Sequence, residues 1–151
     1  MNKSPFVIFA VFAAICVVAI PLLALNKEGS ADSGRVDVAT HDEESKALFA
    51  ASCGPCHTLA AAGTDGVVGP NLDDTLAPTG NGSYEGSYGR VLSAIECGIG
   101  GRMPAGILSG ENAKEIAAFV AAYAGQLGEE DGPLVDTATA EKPDPAPCPS
   151  G

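Results

Sequence analysis

The sequence predicts a small all-α domain of about three helices, preceded by one apolar N-terminal segment and followed by a polar tail. Three observations support this. Apolar residues recur at helical spacing in three stretches between residues 42 and 127. The alternation of strands and crossover helices that marks a βαβ unit is missing from the sequence pattern. Residues 6–25 form a run of 20 uncharged, overwhelmingly apolar residues. As a helix that run would be roughly 30 Å long, the thickness of the bilayer hydrocarbon core.

Taken in order, residues 1–4 read as a cytoplasmic N-terminus and residues 5–25 as a transmembrane anchor. Pro5 suits the first turn of such a helix and Pro21 lies near its end. Lys3 before the run, with Lys27 and Glu28 after it, weakly favours a cytoplasmic start and export of everything that follows. The competing reading is a cleaved signal peptide, but the run is longer than an ordinary h-region and no good A-x-A site follows closely. Cys16 is then a small apolar residue of the helix. Residues 26–41, NKEGSADSGRVDVATH, have no apolar periodicity and read as a flexible linker. Residues 42–127 hold the folded domain. Residues 128–151 are acidic and Pro-rich, with six acids against one base, and read as a disordered tail.

Within the domain, the first helix starts from an N-cap at Asp42 and runs through EESKALFAAS, with Leu48 and Phe49 as its apolar face. The second covers about residues 85–96 and stops at Gly98. The third is capped by Ser109, places Ile116, Phe119, Val120 and Tyr123 on one face, and closes at Gly125. The Gly- and Pro-rich stretch between the first two carries no strand signal. The formal net charge is −11 and the pI about 4.3. The basic footprint of a nucleic-acid binder is missing, so no polynucleotide partner is expected.

The stretch SCGPCHTL overlays two redox signatures. Cys53-Gly-Pro-Cys56 is a thioredoxin-like dithiol loop, and Cys53-x-x-Cys56-His57 is a haem c attachment site. A reactive dithiol needs a helix N-terminus after a buried strand, whereas this motif follows a helical pattern. A zinc site would need four N/S ligands. Beyond the motif only Cys97, Cys148 and His41 remain as donors, without a second clustered pair. A domain with few aromatics and a long structureless stretch also lacks an apolar centre, which a large buried cofactor would supply. The motif therefore reads as the anchor of one haem c, with Cys53 and Cys56 forming thioethers and His57 binding iron. For the opposite face, Met1 lies beyond the anchor, which leaves Met103 in GIGGRMPAG as the available thioether. Two alternatives stay open: Met103 as a plain loop or core residue, and His41 as a second histidine ligand.

The chain resembles a monohaem class I cytochrome c over roughly residues 42–126. The resemblance rests on ALFAASCGPCHTL, on GPNL beyond the anchor, on GRMPAG and on the closing AAFVAAYAG. It implies that the Pro70 carbonyl accepts the ring N–H of His57, fixing its tautomer. It also implies a crossing of the first and last helices, with Phe49 and the Val120/Tyr123 pair at the matching places. Ser45 stands where the family usually has glycine. Trp is absent, so propionate partners would be sought at Arg102, Tyr84 or Tyr88.

Iron with both axial positions filled has no place for a substrate, so the expected role is electron transfer rather than catalysis. The expectation is a membrane-tethered carrier on the exported side, working between a quinol-oxidising complex and a terminal oxidase or another exported acceptor. Two other classes remain: a ligand-binding or peroxidatic protein with Met103 dissociated, and a non-catalytic haem subunit of a larger oxidoreductase complex. Residues 42–127 carry ten acids against four bases, which would steer the domain toward a basic docking face or simply solvate it. Cys97 and Cys148 are the exported cysteines left over from the haem motif. They are either a disulfide or two unrelated thiols.

Overall fold

The computed structural model describes residues 7, 9–10, 12–17, 36–76, 83–128 and 132–148. The chain divides into two units, Met1–Asp32 and Ser33–Gly151. In the first, the described residues are helical, and the side chains of Val7, Phe9, Phe12, Ile15 and Val17 are exposed. Among the described residues no helix is long and apolar enough to cross a membrane. Much of the predicted 5–25 anchor, and the 26–41 linker as far as residue 35, lies outside the described residues.

In the second unit the described helices are α1 (Glu43–Ser52), α2 (Leu72–Leu76), α3 (Tyr84–Cys97) and α4 (Gly110–Tyr123). Single 3-10 turns lie at Thr40–Asp42 and Ala60–Ala62. A minimal antiparallel pair, β1 (Thr58–Leu59) and β2 (Thr64–Asp65), aligns Thr58 with Asp65 and Leu59 with Thr64. Three of the helices match the sequence expectation. The short helix α2 and the β pair do not, because elements of two to five residues are too short to show a period.

The caps also differ from expectation. Asp42 does not cap α1 with its side chain and has helical dihedrals itself. Ser109 makes no side-chain cap on α4. For α3, Ser83 accepts a hydrogen bond from the Gly86 N–H at 3.2 Å, the usual N-cap arrangement.

Helix α4 is the centre of the core. Ile116 to Tyr123 are all buried, on every face of the helix, which requires cover from more than one side. Helix α3 brings Tyr88, Leu92 and Ile95 to it, and α1 brings Phe49. The Phe49 and Phe119 rings sit 6.3 Å apart at 53°, and Phe119 lies 4.9 Å from Tyr123. Phe119, one position before the expected Val120/Tyr123 pair, thus makes the ring contact with α1. Ser45 is buried in α1 as a small residue. Each large apolar side chain so buried contributes about 1.5–3 kcal/mol.

The remaining cover comes from residues 132–148, here termed the strap. The sequence reads them as part of a disordered tail; the structure places them along the domain. The Leu134 N–H donates to the Ala122 carbonyl at 2.8 Å, and Lys142 pairs with Glu115 at 2.9 Å. Lys114 pairs with Asp144 at 2.6 Å, and the Tyr88 hydroxyl donates to the Pro143 carbonyl at 3.1 Å. Composition shows that such a segment has no core of its own, but not that partners wait on α3 and α4.

The other end of the predicted linker is docked too, since Val36 and Val38 are buried. Both ends of the folded unit meet at Asp42, which is 2% exposed. Its carboxylate accepts from the Tyr123 hydroxyl at 2.9 Å and from the Thr137 hydroxyl of the strap. The Tyr123 oxygen in turn accepts the Ala39 N–H at 2.9 Å. A buried carboxylate needs such donors, so strap, linker and α4 depend on one another here.

Candidate haem-binding site

The CGPCH loop leaves α1 at its C-terminal end. Cys53 is the C-cap, its N–H donating to the Phe49 carbonyl at 2.8 Å. The Cys56 and His57 N–H groups both return to the Cys53 carbonyl, at 3.0 and 2.9 Å, and wind the loop tightly. Thr64 fastens it further: its hydroxyl donates to the His57 carbonyl at 3.0 Å and accepts the Leu59 N–H at 3.1 Å. The β pair thereby brings Thr64 against the loop.

This setting bears on the two redox signatures. Cys53 sits at the carbonyl end of a helix, where the dipole opposes a thiolate. Burial pushes its thiol up to about 11, with nearby Cys56 adding to the rise. A thioredoxin-like dithiol needs the reverse. The zinc reading also fails on the donors: Cys97 and Cys148 are joined in a disulfide, with Cα atoms 5.4 Å apart. No cluster of three metal-ligating side chains occurs among the described residues.

His57 is set by the segment that follows. Its Nδ1 lies 2.9 Å from the Pro70 carbonyl oxygen. A carbonyl only accepts, so Nδ1 carries the proton and Nε2 keeps its lone pair for a metal. Gly69 stands directly against the imidazole, its N–H bonded to the Cys56 carbonyl at 2.7 Å. A Cβ there would fall 2.7 Å from Nδ1 and 2.9 Å from Nε2, and closer still to Cε1. Gly66 is confined by the backbone of the loop, and Gly54 by the Ala50 backbone of α1 and the Thr64 side chain. Asp73, buried at the start of α2, accepts from the Ala60 N–H at 2.8 Å and the Gly125 N–H at 3.0 Å. It thereby ties the segment after the motif to the end of α4.

Met103 lies in the loop between α3 and α4, partly buried against the core. The Ile99 N–H donates to its carbonyl at 3.0 Å, forming an isolated bridge between the two residues. Gly98 has φ +72°, and a Cβ there would meet the Met103 oxygen at 2.7 Å. Arg102 is exposed. Of the tyrosines considered for propionates, Tyr88 donates its hydroxyl hydrogen bond to the Pro143 carbonyl. The Tyr84 hydroxyl is buried without a partner among the described residues, and burial raises its pKa to about 12. His41 is engaged elsewhere, with Nε2 3.1 Å from Thr137 Oγ1 and 3.3 Å from Asp136. That removes it from the set of free imidazoles.

The donor set fits a haem c: two unbridged thiols, an imidazole with Nε2 available, and bare apolar side chains after the motif and in the Met103 loop. Val67 and Val68 are 88% and 82% exposed just before Gly69, and Ile99 is 55% exposed in the Met103 loop. Sequence reasoning missed two contributors here. Gly69 lies inside the quoted GPNL but gave no sign of its contact with the ring. Asp73 reads as one of two adjacent surface acids.

Residues 41–120 match the family described as "Cytochrome C oxidase, cbb3-type, subunit III". The chain belongs to this family. The protein is a c-type cytochrome, and membership implies covalently bound haem c. Among solved structures, the cytochrome is similar to the c-type cytochrome SorU from Sinorhizobium meliloti. The two are 34% identical, over 60% of this chain and 98% of that one, with a TM-score of 0.42. No curated protein sequence matches this cytochrome.

Proposed function

We propose that this cytochrome is a single-electron carrier of the monohaem class I type, not an enzyme by itself. In this reading Cys53 and Cys56 hold one haem c, and His57 and Met103 are its axial ligands. The observation that carries the proposal is the 2.9 Å bond from His57 Nδ1 to the Pro70 carbonyl, which leaves Nε2 as the ring nitrogen available to a metal. Haem iron with both axial positions taken supplies one reversible electron and no substrate site. The residues do the rest. Pro70 strengthens the imidazole as a donor, Gly69 fixes its plane, and the Ile99–Met103 bridge holds the thioether loop in shape.

The anchor, compartment and partners belong to the same proposal. The exposed apolar side chains of the N-terminal helical residues suit a membrane anchor over residues 5–25 better than a free polar surface. A disulfide at Cys97–Cys148 suits an oxidising, exported compartment. The electron donor would be a quinol-oxidising complex and the acceptor a terminal oxidase or another exported protein, with the acidic surface steering toward a basic face.

Met103→Ala tests the ligation. The variant should keep covalent haem, lose the far-red absorption band of a thioether-bound ferric haem, fall in potential and gain affinity for cyanide. An unchanged band removes Met103 as ligand. A second reading is favoured by the family description, which names an oxidase subunit: the chain would work inside a larger oxidase complex. Purification in mild detergent separates the two, since a carrier leaves the membrane extract alone and a subunit brings stoichiometric partners.

A further inference from the structure

The strap ends at the root of the Met103 loop. Cys97 is the last residue of α3, and Gly98, directly after it, opens the loop with φ +72°. Both ends of the loop are fastened to this last turn. The Gly106 N–H donates to the Ile95 carbonyl at 2.8 Å, and Gly98 caps back to the Ala94 carbonyl at 3.0 Å. Within the loop, the Ile99 N–H donates to the Met103 carbonyl. If the last turn of α3 frays, as helix ends do, both attachments loosen together.

The Cys97–Cys148 disulfide pins that turn. A bridge to a floppy tail would pin nothing, because the tail would move with the helix end. Here the tail is held first. Five residues before Cys148, the Pro143 carbonyl is bound by Tyr88 on α3, and Asp144 by Lys114 on α4. Between this point and Cys148 the chain reads Pro-Ala-Pro-Cys, a stiff extended spacer. Farther back, Thr137 is locked onto buried Asp42.

We propose that the strap is a clamp on the Met103 loop, with Cys97 and Cys148 as positioning residues that keep the thioether in place. Cys148 is exposed and Cys97 partly buried, so the clamp is open to thiol chemistry. A thiolate of an external dithiol attacks Cys148 Sγ, the S–S bond breaks, and the Cys97 sulfur leaves and takes a proton. The second thiol of the reductant then displaces Cys148 and closes its own disulfide, two electrons having passed to the protein. The loop is thereby freed without touching the haem thioethers.

The role given to Met103 rests on the ligation proposed above, so the test keeps the two apart. The haem-loaded full-length protein carrying Cys97→Ser with Cys148→Ser is compared with wild type by amide hydrogen exchange and by imidazole binding to the ferric form. Exchange at residues 98–106 should rise about tenfold while that of 116–121 in α4 stays unchanged. Imidazole, which competes for the Met103 position, should bind several-fold tighter. A second variant, Pro145→Gly with Pro147→Gly, keeps the bridge but softens the spacer and should give a smaller rise in the same segment. Unchanged exchange at 98–106, or an equal rise in α4, overturns the clamp. If exchange rises locally but imidazole affinity is the same in wild type, in this variant and in Met103→Ala, the clamp stands and the Met103 ligation falls.

Discussion

Under the proposed ligation, replacing Gly69 by alanine should disturb His57 and little else. Gly69 does not need glycine for its backbone angle; it needs it because the His57 ring occupies the place of a side chain. The added Cβ would lie 2.7 Å from Nδ1 and 2.9 Å from Nε2, whereas ordinary contact begins near 3.4 Å. The ring must therefore retreat by roughly 0.5–1 Å, with an overpacking cost of about 1–3 kcal/mol. The bond to the Pro70 carbonyl is 2.9 Å long and would be stretched past useful length by that shift. A lost hydrogen bond of this kind is worth about 1 kcal/mol. The imidazole then becomes a weaker donor and stabilises ferric iron less, so the potential rises, by up to about 40 mV for one electron. Spectroscopic redox titration reads this directly. Gly63→Ala is the control: with φ +64° and open space around its Cα, it should cost about 1 kcal/mol of stability and leave the potential alone. A potential for Gly69→Ala within about 10 mV of wild type would refute the argument.

Three further outcomes are expected. Tyr123→Phe should destabilise the domain by about 1–3 kcal/mol, since it strips a donor from buried Asp42 and an acceptor from Ala39, while Tyr84→Phe should be neutral or stabilising because its hydroxyl has no partner among the described residues. Chemical denaturation compares the two, and a loss in Tyr84→Phe would point to a propionate partner. Asp73→Ala leaves the Ala60 and Gly125 N–H groups without an acceptor, and should cost about 2–5 kcal/mol in the same assay. The strap should be docked evenly across neutral pH and loosen in acid: Asp144 is held below its usual 3.8 by the hydrogen bond from Lys114. A lowered carboxylate contributes above its unfolded value and loses that contribution as pH falls through the folded one, so Asp144→Asn should abolish the acid-side change in strap exchange.

How legible this was from sequence depends on the kind of signal. Helix α4 was plain, because Ile116, Phe119, Val120 and Tyr123 repeat at helical spacing. Its alanines at 117, 118, 121 and 122 fill the remaining faces, a hint that the helix is covered all round, but small residues do not say by what. The strap answers that, and its own composition argued the other way. The motif at Cys53–His57 stands out in the sequence because covalent haem attachment would demand a fixed spacing. Gly69 and Asp73 do not, since a close approach and a buried carboxylate are properties of tertiary placement. Asp42 illustrates the same limit: its position ahead of a helix suggested an N-cap, and the structure spends its carboxylate on Tyr123 and Thr137 instead.

The burial of Val36 and Val38 changes the leash on which the cytochrome would move. Composition assigned residues 26–41 to the linker, a chain with a root-mean-square span of roughly 20–24 Å. With Val36 and Val38 on the domain, at most ten of those residues would be left to act as a tether in the proposed anchored arrangement, and a flexible chain of that length would span roughly 16–19 Å. Because volume scales with the cube, the space swept falls to roughly half. Under the proposed tethering, a carrier so confined would sample fewer neighbours but meet each one more often, which would favour a fixed redox partner over a roaming one.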